Sequence, residues 1–461
     1  MTSHEPIESA GPVGAEPQAT ASSPDKSPSV EKPPFDQYAV RAGEPAVGHR
    51  RAPEPARRSF GQVLREELWA DNNVTVTILA IVLALFCGGI LMIIGNAELR
   101  EQWSYFFYQP GKTLAESWDF VSTAYGDMFK GSVVNPDTAN RWYWDMAPWQ
   151  QVFYPITETL TYAAPLIFTG LAVAVPFRAG LFNIGGQGQA IMGAIGGGTV
   201  GLALSTTPWL QVPLGLIAGA LLGGLYGYLV GILKARTGAH EVILTIMLNY
   251  IAALFLGWYI LQEGIKDPNR PDAISKPIAA SGYLPKLIPD PLLRANLGII
   301  LAVLAAAGVA WLLKRSRFGF ELRAVGHNPS AAATAGIGVG TTLALTMALA
   351  GALAGLGGTS VALGTAPALT GDMLGQIGFN GILVALLGRV RPWGVVGAGL
   401  LFGALQAGGN TMQNFSGVSQ ELVVVIQALI VLFVAAPALV KTIYRLRRSP
   451  AAAAQAMVAK G

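Results

Sequence analysis

Long apolar stretches without a charged side chain constrain this chain more than any other feature. The first, Val74 to Gly95, is 22 residues long, or about 33 Å as an α-helix, whereas the hydrocarbon core of a membrane is about 30 Å thick. Only 13% of the 461 residues are charged, about half the share in an ordinary globular domain. Since only helices and closed barrels satisfy their backbone hydrogen bonds in lipid, we expect an α-helical membrane protein.

The same pattern returns along the chain and predicts an all-α, polytopic membrane protein with about ten transmembrane helices. Ile377 to Leu387 is too short to cross alone, so it is expected to be a re-entrant or broken helix. The nine apolar stretches after the first are Ile156 to Pro176, Leu181 to Leu204, Pro213 to Leu233, Glu241 to Leu261, Leu297 to Leu313, Leu343 to Leu363, Ile377 to Leu387, Val395 to Leu405 and Leu422 to Leu439.

Basic residues stand at alternate ends of these stretches. Since cytoplasmic loops carry an excess of Lys and Arg, this pattern predicts that both termini lie in the cytoplasm. The aromatic segment 96–153 is then expected to form a cap on the outer face. The basic residues form no phosphate-binding stripe, so nucleic acid is not an expected partner. They include Arg178, Lys234, Arg236, Lys314, Arg315, Arg317, Arg389, Arg391, Lys441, Arg445, Arg447 and Arg448.

Four regions follow from the change in composition along the chain. Residues 1–58 are rich in Pro, Ala, Ser and Glu and are expected to be a disordered cytoplasmic tail. No apolar segment follows Met1, so a cleaved signal peptide is not expected. Residues 59–73 form an amphipathic segment expected to lie along the membrane surface. Residues 74–445 are the predicted transmembrane domain, and 446–461 a cytoplasmic tail.

The sequence offers no set of residues for covalent chemistry. Cys87 is the single cysteine, which excludes an intrachain disulfide and a cysteine-based metal site. The phosphate-loop-like Gly111-Lys112-Thr113 lacks the required earlier glycine, and Leu244 replaces the second histidine of a zinc-protease motif begun by His240. We therefore expect no catalytic residue, no metal and no cofactor, and a protein that is not an enzyme.

Amide side chains and glycines cluster at the start of the third predicted span, from Gly180 to Gln189. Glycine weakens a helix by roughly 1 kcal/mol relative to alanine, and buried amides need hydrogen-bond partners. An unwound segment lining a substrate pathway is one interpretation, and helix packing is the other. The shorter Gly378-Phe379-Asn380-Gly381 repeats this pattern in the second half, as in transporters with internal repeats and broken helices.

The fourth predicted span has a glycine at every fourth position. Such a stripe lies on one face of a helix and lets another helix approach closely, so it is interpreted as a packing surface. The glycines are Gly215, Gly219, Gly223, Gly227 and Gly231.

A short helix is predicted in the cytoplasmic stretch that follows the sixth span. Asn328 suits the N-cap, Pro329 the first helical position and Gly336 the stop. Residues 330–335 favour helix between these signals. An ordinary connector between spans is the alternative interpretation.

Three separated segments carry a resemblance to a known family. Gly180 to Gln189, Gly238 to Tyr250 and Arg323 to Pro329 resemble the membrane subunits of nucleoside and simple-sugar ABC importers, within the branched-chain amino acid and ribose permease family. The resemblance covers residues 74–445. It implies a subunit that moves nucleosides across the plasma membrane by alternating access, with a simple sugar as the alternative substrate.

The resemblance also implies partners and residue roles. The partners are ABC ATPase subunits, a second permease subunit (identical or paralogous), an extracytoplasmic substrate-binding lipoprotein, a small-molecule substrate and the lipid bilayer. Gln187 and His240 depart from the family, which commonly has Glu and Asn there. Residues predicted for the substrate pathway are Phe182, Asn183, Gln187, Gln189, Asn249, Tyr250 and Asn380, with Gln406, Asn410 and Gln413 as further candidates. Residues predicted for ATPase coupling are Arg323, Gly326, His327, Asn328, Pro329 and Ala332.

Three other classes of membrane protein fit less well. A secondary transporter usually needs ionisable residues or ion ligands inside the membrane, and the predicted spans have almost none at mid-depth. A channel would leave the capped cytoplasmic helix unexplained. A membrane enzyme would need a nucleophile, an acid–base pair or a metal cluster.

Overall fold

The computed structural model describes residues 73–444, and within them the fold is helical, with isolated β-bridges in place of strands. This confirms the all-α membrane fold. The expectations for 1–58 and 446–461, and for 59–73 apart from Asn73, lie outside the described residues. The helices are α1 (Asn73–Gly95), α2 (Ala97–Ser104), α3 (Pro110–Ser132), α4 (Pro136–Tyr143), α5 (Trp149–Phe177), α6 (Gly186–Ala203), α7 (Pro208–Thr237), α8 (Glu241–Ile260), α9 (Gly298–Arg315), α10 (Arg317–His327), α11 (Pro329–Thr334), α12 (Val339–Ala362), α13 (Ile377–Leu387), α14 (Pro392–Ser416), α15 (Gln420–Ala435) and α16 (Pro437–Ile443).

Six of these helices are long and apolar enough to cross a membrane: α1, α5, α7, α8, α9 and α12. The pair α15 and α16 would make a seventh, although it is bent by 89°. The bend falls at Ala436, directly before Pro437, because proline cannot donate the backbone hydrogen bond that would continue the helix. By length and composition the structure therefore supports six or seven spans.

The other predicted spans are helices of a different kind. α13 has 11 residues and reaches only about 16 Å, so it cannot cross alone, as its length predicted. α6 begins at Gly186, five residues after the predicted start at Leu181, and residues 181–184 have no regular structure. α14 continues to Ser416, beyond the predicted end at Leu405, through an amide-rich last part.

The glycine stripe on α7 packs as predicted. A Cβ atom built on Gly223 would lie 2.8 Å from the Cα atom of Gly355 on α12, which is closer than side chains tolerate. The five glycines of the stripe are all buried, whereas the opposite face of α7 exposes Leu221 and Leu225. One face of α7 therefore lies against the neighbouring helix backbones and the other faces outward.

The segment 96–153, predicted as a cap, consists largely of the helices α2, α3 and α4. Helix α3 of this segment packs against the last part of α14. The Ser416 hydroxyl lies 2.5 Å from a carboxylate oxygen of Asp127 on α3, and a Cβ atom on Gly408 would lie 2.8 Å from the Met128 side chain. The cap thus contacts the end of α14 that lies away from Arg391 and the α13–α14 turn.

Candidate functional site

Two broken helices meet inside the bundle, and Gln187 joins them. Its side-chain oxygen accepts a hydrogen bond from the backbone N–H of Gly378 at the start of α13 (2.8 Å), and its amide nitrogen donates to the backbone oxygen of Gly375 (2.8 Å). Gln187 is buried and stands at the start of α6. A carboxylate only accepts hydrogen bonds, so glutamine suits a bridge that needs one donor and one acceptor.

The nonhelical segment before α6 is held by buried amides. Asn183 is fully buried, and its amide nitrogen donates to the side-chain oxygen of Gln189 (2.9 Å) and to the backbone oxygen of Ala172 (3.1 Å). Its side-chain oxygen accepts from the backbone N–H of Gly185 (3.0 Å). These bonds satisfy backbone groups that a break in a helix would otherwise leave without partners.

Asn249 fixes the same break from α8. Its side-chain oxygen accepts from the backbone N–H of Gly188 (2.8 Å), and its amide nitrogen donates to the backbone oxygen of Ile184 (3.0 Å). Tyr250, the next residue, is 66% exposed on the outer face of α8. The structure therefore brings Asn183, Gln189 and Asn249 together and places Tyr250 away from them.

A cavity of about 500 Å³ lies beside the start of α13. α5, the end of α12, the connection between α8 and α9, and residues 366–377 form its walls, and Asn380 of α13 and Gln406 of α14 also line it. Its volume falls within the range of small-molecule sites, about 300–1,000 Å³. Its polar lining residues are Thr161, Tyr162, Arg294, Asn296, Ser360, Thr365, Thr370, Asp372, Gln376, Asn380 and Gln406.

Two of these lining residues, Asn380 and Gln406, were predicted from the sequence. Phe182, by contrast, packs edge-to-face on Phe177 with the ring centroids 6.1 Å apart. Most of the other polar lining residues were missed because they are single hydroxyls and amides within apolar or loop sequence. The only available signal was a Thr, Tyr or Gln interrupting an apolar run, as at Thr161 and Tyr162.

A smaller polar cavity of about 310 Å³ adjoins the first and shares Tyr162 and Arg294 with it. Asn410 and Gln413, the further candidates, line it, and the Asn410 amide donates to the Tyr162 hydroxyl (2.9 Å). Arg294 forms an ion pair with Glu158 on α5 at 3.1 Å. The Glu158 carboxylate is buried, so this pair neutralises a charge that would be costly inside a membrane span.

The predicted capped helix is present as α11. The Asn328 side chain accepts from the backbone N–H of Ala331 (3.1 Å), Pro329 begins the helix, and Gly336 ends it with φ of 81°. Ala332 is buried, whereas the residues around it are exposed. α11 therefore presents an exposed turn that is anchored by one small side chain.

Gly326 of α10 packs against the turn at residues 178–180, which leads into the nonhelical segment before α6. A Cβ atom built on Gly326 would lie 3.0 Å from the Cα atom of Ala179 and closer still to the backbone oxygen of Arg178. Gly180 follows in the left-handed region, with φ of 74°, where glycine is favoured. Residues 178–180 therefore connect α10 with the nonhelical segment before α6.

Residues 156–435 match the family described as the branched-chain amino acid transport system permease component. The chain belongs to this family. It is a transport subunit of an ABC system rather than an enzyme, and it is a multi-pass protein of the plasma membrane. The ABC permease predicted from the sequence is confirmed. Membership also implies that the permease works with ATPase and substrate-binding partners.

Curated relatives cover most of the membrane part of the permease. It is 42% identical to the guanosine ABC transporter permease protein NupP of Bacillus subtilis over 295 residues, 63% of this chain and 84% of the relative. It is 40% identical to the nucleoside ABC transporter permease protein NupB of Lactococcus lactis over 61% of this chain and 79% of the relative. It is 33% identical to the glucose ABC transporter permease protein TsgB13 of Haloferax volcanii over 61% and 76%. No solved structure matches the chain.

Proposed function

We propose that this permease imports a nucleoside through the cavity beside α13. Gly375 and Ile377 line the cavity beside the junction where Gln187 ties α6 to α13, and this contact is the observation that carries the proposal. A solute in the cavity would pass further only if that junction rearranged. Such a site, accessible from one side at a time, is what alternating access requires.

The lining of the cavity suits a neutral, polar solute. Hydroxyl and amide groups predominate, and the charged side chains that line it are Arg294 and Asp372. A nucleoside offers hydroxyl, carbonyl and amino groups that such side chains bind by hydrogen bonds. The relatives at 42% and 40% identity are named for guanosine and for nucleosides, which favours this substrate class over sugars.

A simple sugar is the second candidate substrate. It is supported by the 33% identity to a permease named for glucose and by the same hydroxyl and amide lining. Sugars and nucleosides both carry hydroxyl groups on a ring, so the lining alone fits either class. The greater similarity to the permeases named for guanosine and nucleosides places the sugar second.

The energy would come from ATPase subunits that dock at α10 and α11. ATP binding would move this coupling segment, which comprises Arg323, Gly326, His327, Asn328, Pro329 and Ala332. The contact of Gly326 with Arg178 and Ala179 would carry the motion to the break before α6. Asn183, Gln187, Gln189 and Asn249 would then hold the closed state of the pathway, with Asn380 facing the solute. Phe182 packs on Phe177 and Tyr250 is exposed on the outer face of α8, so neither would line this cavity.

The remaining partners follow from the direction of transport. With both termini in the cytoplasm, the cavity beside α13 would face outward, where a substrate-binding lipoprotein would deliver the nucleoside. A second permease copy or a paralogue would complete the pore. Uptake of labelled guanosine by cells that express the permease with its ATPase and binding protein tests the proposal. We expect ATP-dependent uptake that unlabelled nucleosides compete for and glucose does not; competition by glucose alone would favour the sugar candidate.

A further inference from the structure

A separate cavity of about 950 Å³ lies at the end of the bundle that carries the coupling segment. The start of α1, the end of α9, α10 and the turn between α13 and α14 form its walls. Two of its lining residues are Arg323, which belongs to the coupling segment, and Arg178, whose backbone contacts Gly326. None of the residues predicted for the substrate pathway lines it, and of the residues predicted for coupling only Arg323 does.

Positive charge is concentrated in this cavity. Among the described residues that line it, the charged ones are Arg178, Lys314, Arg323, Arg389 and Arg391, and none is Asp or Glu. Arg178 donates from two guanidinium nitrogens to the backbone oxygen of Val390 (2.9 and 3.3 Å), and Arg323 donates to the backbone oxygen of Gly319 (3.2 Å). Bonds to carbonyl groups hold these side chains in place without neutralising their charge, so the cavity suits an anion.

The remaining wall of the cavity is apolar. Ile78 and Ile81 of α1, Leu313 of α9, and Trp393 and Leu401 of α14 line it. Ile78 is 51% exposed and Trp393 is 58% exposed. α1 is among the helices able to span a membrane, so its exposed apolar face lies where lipid chains would run. The cavity therefore joins a basic pocket to a surface that contacts the bilayer.

We propose that this cavity binds one anionic glycerophospholipid. The phosphate headgroup would lie among the basic side chains, and an acyl chain would follow the apolar wall along α1 and α14. A soluble phosphate would use the basic groups but not that wall, whereas a membrane lipid uses both. Basic pockets between membrane helices at the cytoplasmic level recognise such headgroups. The proposal depends on membrane embedding and not on the identity of the transported solute.

Native mass spectrometry of the purified full-length permease tests the site directly. The protein is titrated with phosphatidylglycerol or with phosphatidylcholine of the same acyl chains, and bound lipid per chain is measured. We expect a preference for phosphatidylglycerol. The double variant Lys314→Gln, Arg391→Gln should weaken its binding by about 10- to 30-fold, since each Lys or Arg near a lipid surface contributes appreciably to binding.

Matched controls separate the site from general surface charge. Arg315 lies beside Lys314 in the last turn of α9 but does not line the cavity, so Arg315→Gln should leave phosphatidylglycerol binding within about twofold of the unmodified chain. Gly397 lines the apolar wall, and a Cβ atom there would meet nothing within 4 Å. Gly397→Leu should therefore reduce lipid binding by occupying the wall. Gly308→Leu, at another open glycine outside the cavity, should not.

Two results would overturn the proposal. Equal binding of phosphatidylglycerol and phosphatidylcholine would show that the basic groups do not select an anionic headgroup. An equal loss of binding in the Arg315→Gln and Lys314→Gln, Arg391→Gln variants would show a diffuse surface effect. Guanosine uptake by the unmodified permease is measured in parallel. An absence of uptake together with an intact preference for phosphatidylglycerol would count against the transport proposal alone.

Discussion

At the scale of single residues, the amides at the break before α6 were found from the sequence, whereas their partners were not. Asn183, Gln187 and Gln189 stand out because amides are unusual at the start of an apolar run. Their hydrogen-bond partners lie on elements that are distant in sequence, such as Asn249 on α8 and Gly378 on α13. Those contacts depend on tertiary packing, which no local pattern encodes.

Replacing Gln187 by glutamate should destabilise the permease. The carboxylate retains an acceptor for Gly378 but cannot donate to Gly375, and it places charge beside a backbone oxygen inside the bundle. We expect a loss of roughly 1–3 kcal/mol, measured as a lower midpoint of thermal unfolding in detergent. Gln262→Glu is the matched control. It removes a similar donor, the Gln262 amide that bonds to the backbone oxygen of Trp258 (2.8 Å) at an exposed site, and should lower the midpoint less. Equal midpoints for the two variants would contradict the bridging role of Gln187.

Leucine substitutions should distinguish a cavity residue from a structural one. Asn380 lines the cavity, so Asn380→Leu should lower guanosine uptake severalfold while leaving folded yield within about 20% of the unmodified protein. Asn183 is fully buried with all its bonds inside the protein, so Asn183→Leu should reduce folded yield first. The measurement is uptake per folded molecule, with yield from size-exclusion chromatography. Normal uptake per molecule for Asn380→Leu would remove that residue from the pathway.

At the scale of elements, apolar periodicity located most helices to within a few residues. The predicted span Glu241 to Leu261 is α8, Glu241–Ile260. The predicted span Leu422 to Leu439 is broken near its end, at Ala436, because Pro437 cannot continue the preceding helix, and the two helices are bent by 89°. The extension of α14 was missed because its last part is polar, and it remains helical through contacts with α3.

The cap of α11 should govern coupling to the ATPase. Asn328→Ala removes the side-chain acceptor at its first turn, at a cost of about 1 kcal/mol to a short helix. We expect ATPase activity that transported nucleoside no longer stimulates, with assembly intact on co-purification. Asn135 caps α4 in the same way, directly before Pro136. Its alanine variant is the matched control and should retain stimulation. Full stimulation in Asn328→Ala would remove α11 from the coupling path.

At the scale of the whole molecule, the sequence predicted a helical permease but not the shape of its cavity. Four separate parts of the chain meet around it, and each contributes polar side chains that look unremarkable in sequence. The number of crossings also depends on tertiary structure, because a broken helix such as α13 crosses only together with another element. Composition and periodicity therefore determine the class of fold more firmly than the position of the pathway.

The orientation in the membrane is a prediction of the whole chain. Single cysteines in a Cys87→Ala background at positions 130, 280 and 366 should react with a membrane-impermeant thiol reagent added outside intact cells. Cysteines at 50, 330 and 446 should react only after the cells are opened. The basis is the excess of Lys and Arg at one end of the bundle. Labelling of position 330 from outside would place α11 on the wrong side for an ATPase and contradict the coupling mechanism.

The most direct test of the proposed pathway is whether a nucleoside protects a cysteine in the cavity beside α13 from labelling. An Asn380→Cys variant in the Cys87→Ala background, assembled with its partners and active in uptake, is treated with an impermeant thiol reagent from outside. We expect saturating guanosine to slow labelling severalfold and the same concentration of glucose to leave the rate unchanged. Labelling that guanosine does not slow in a transport-active complex would contradict the claim that nucleosides pass through this cavity.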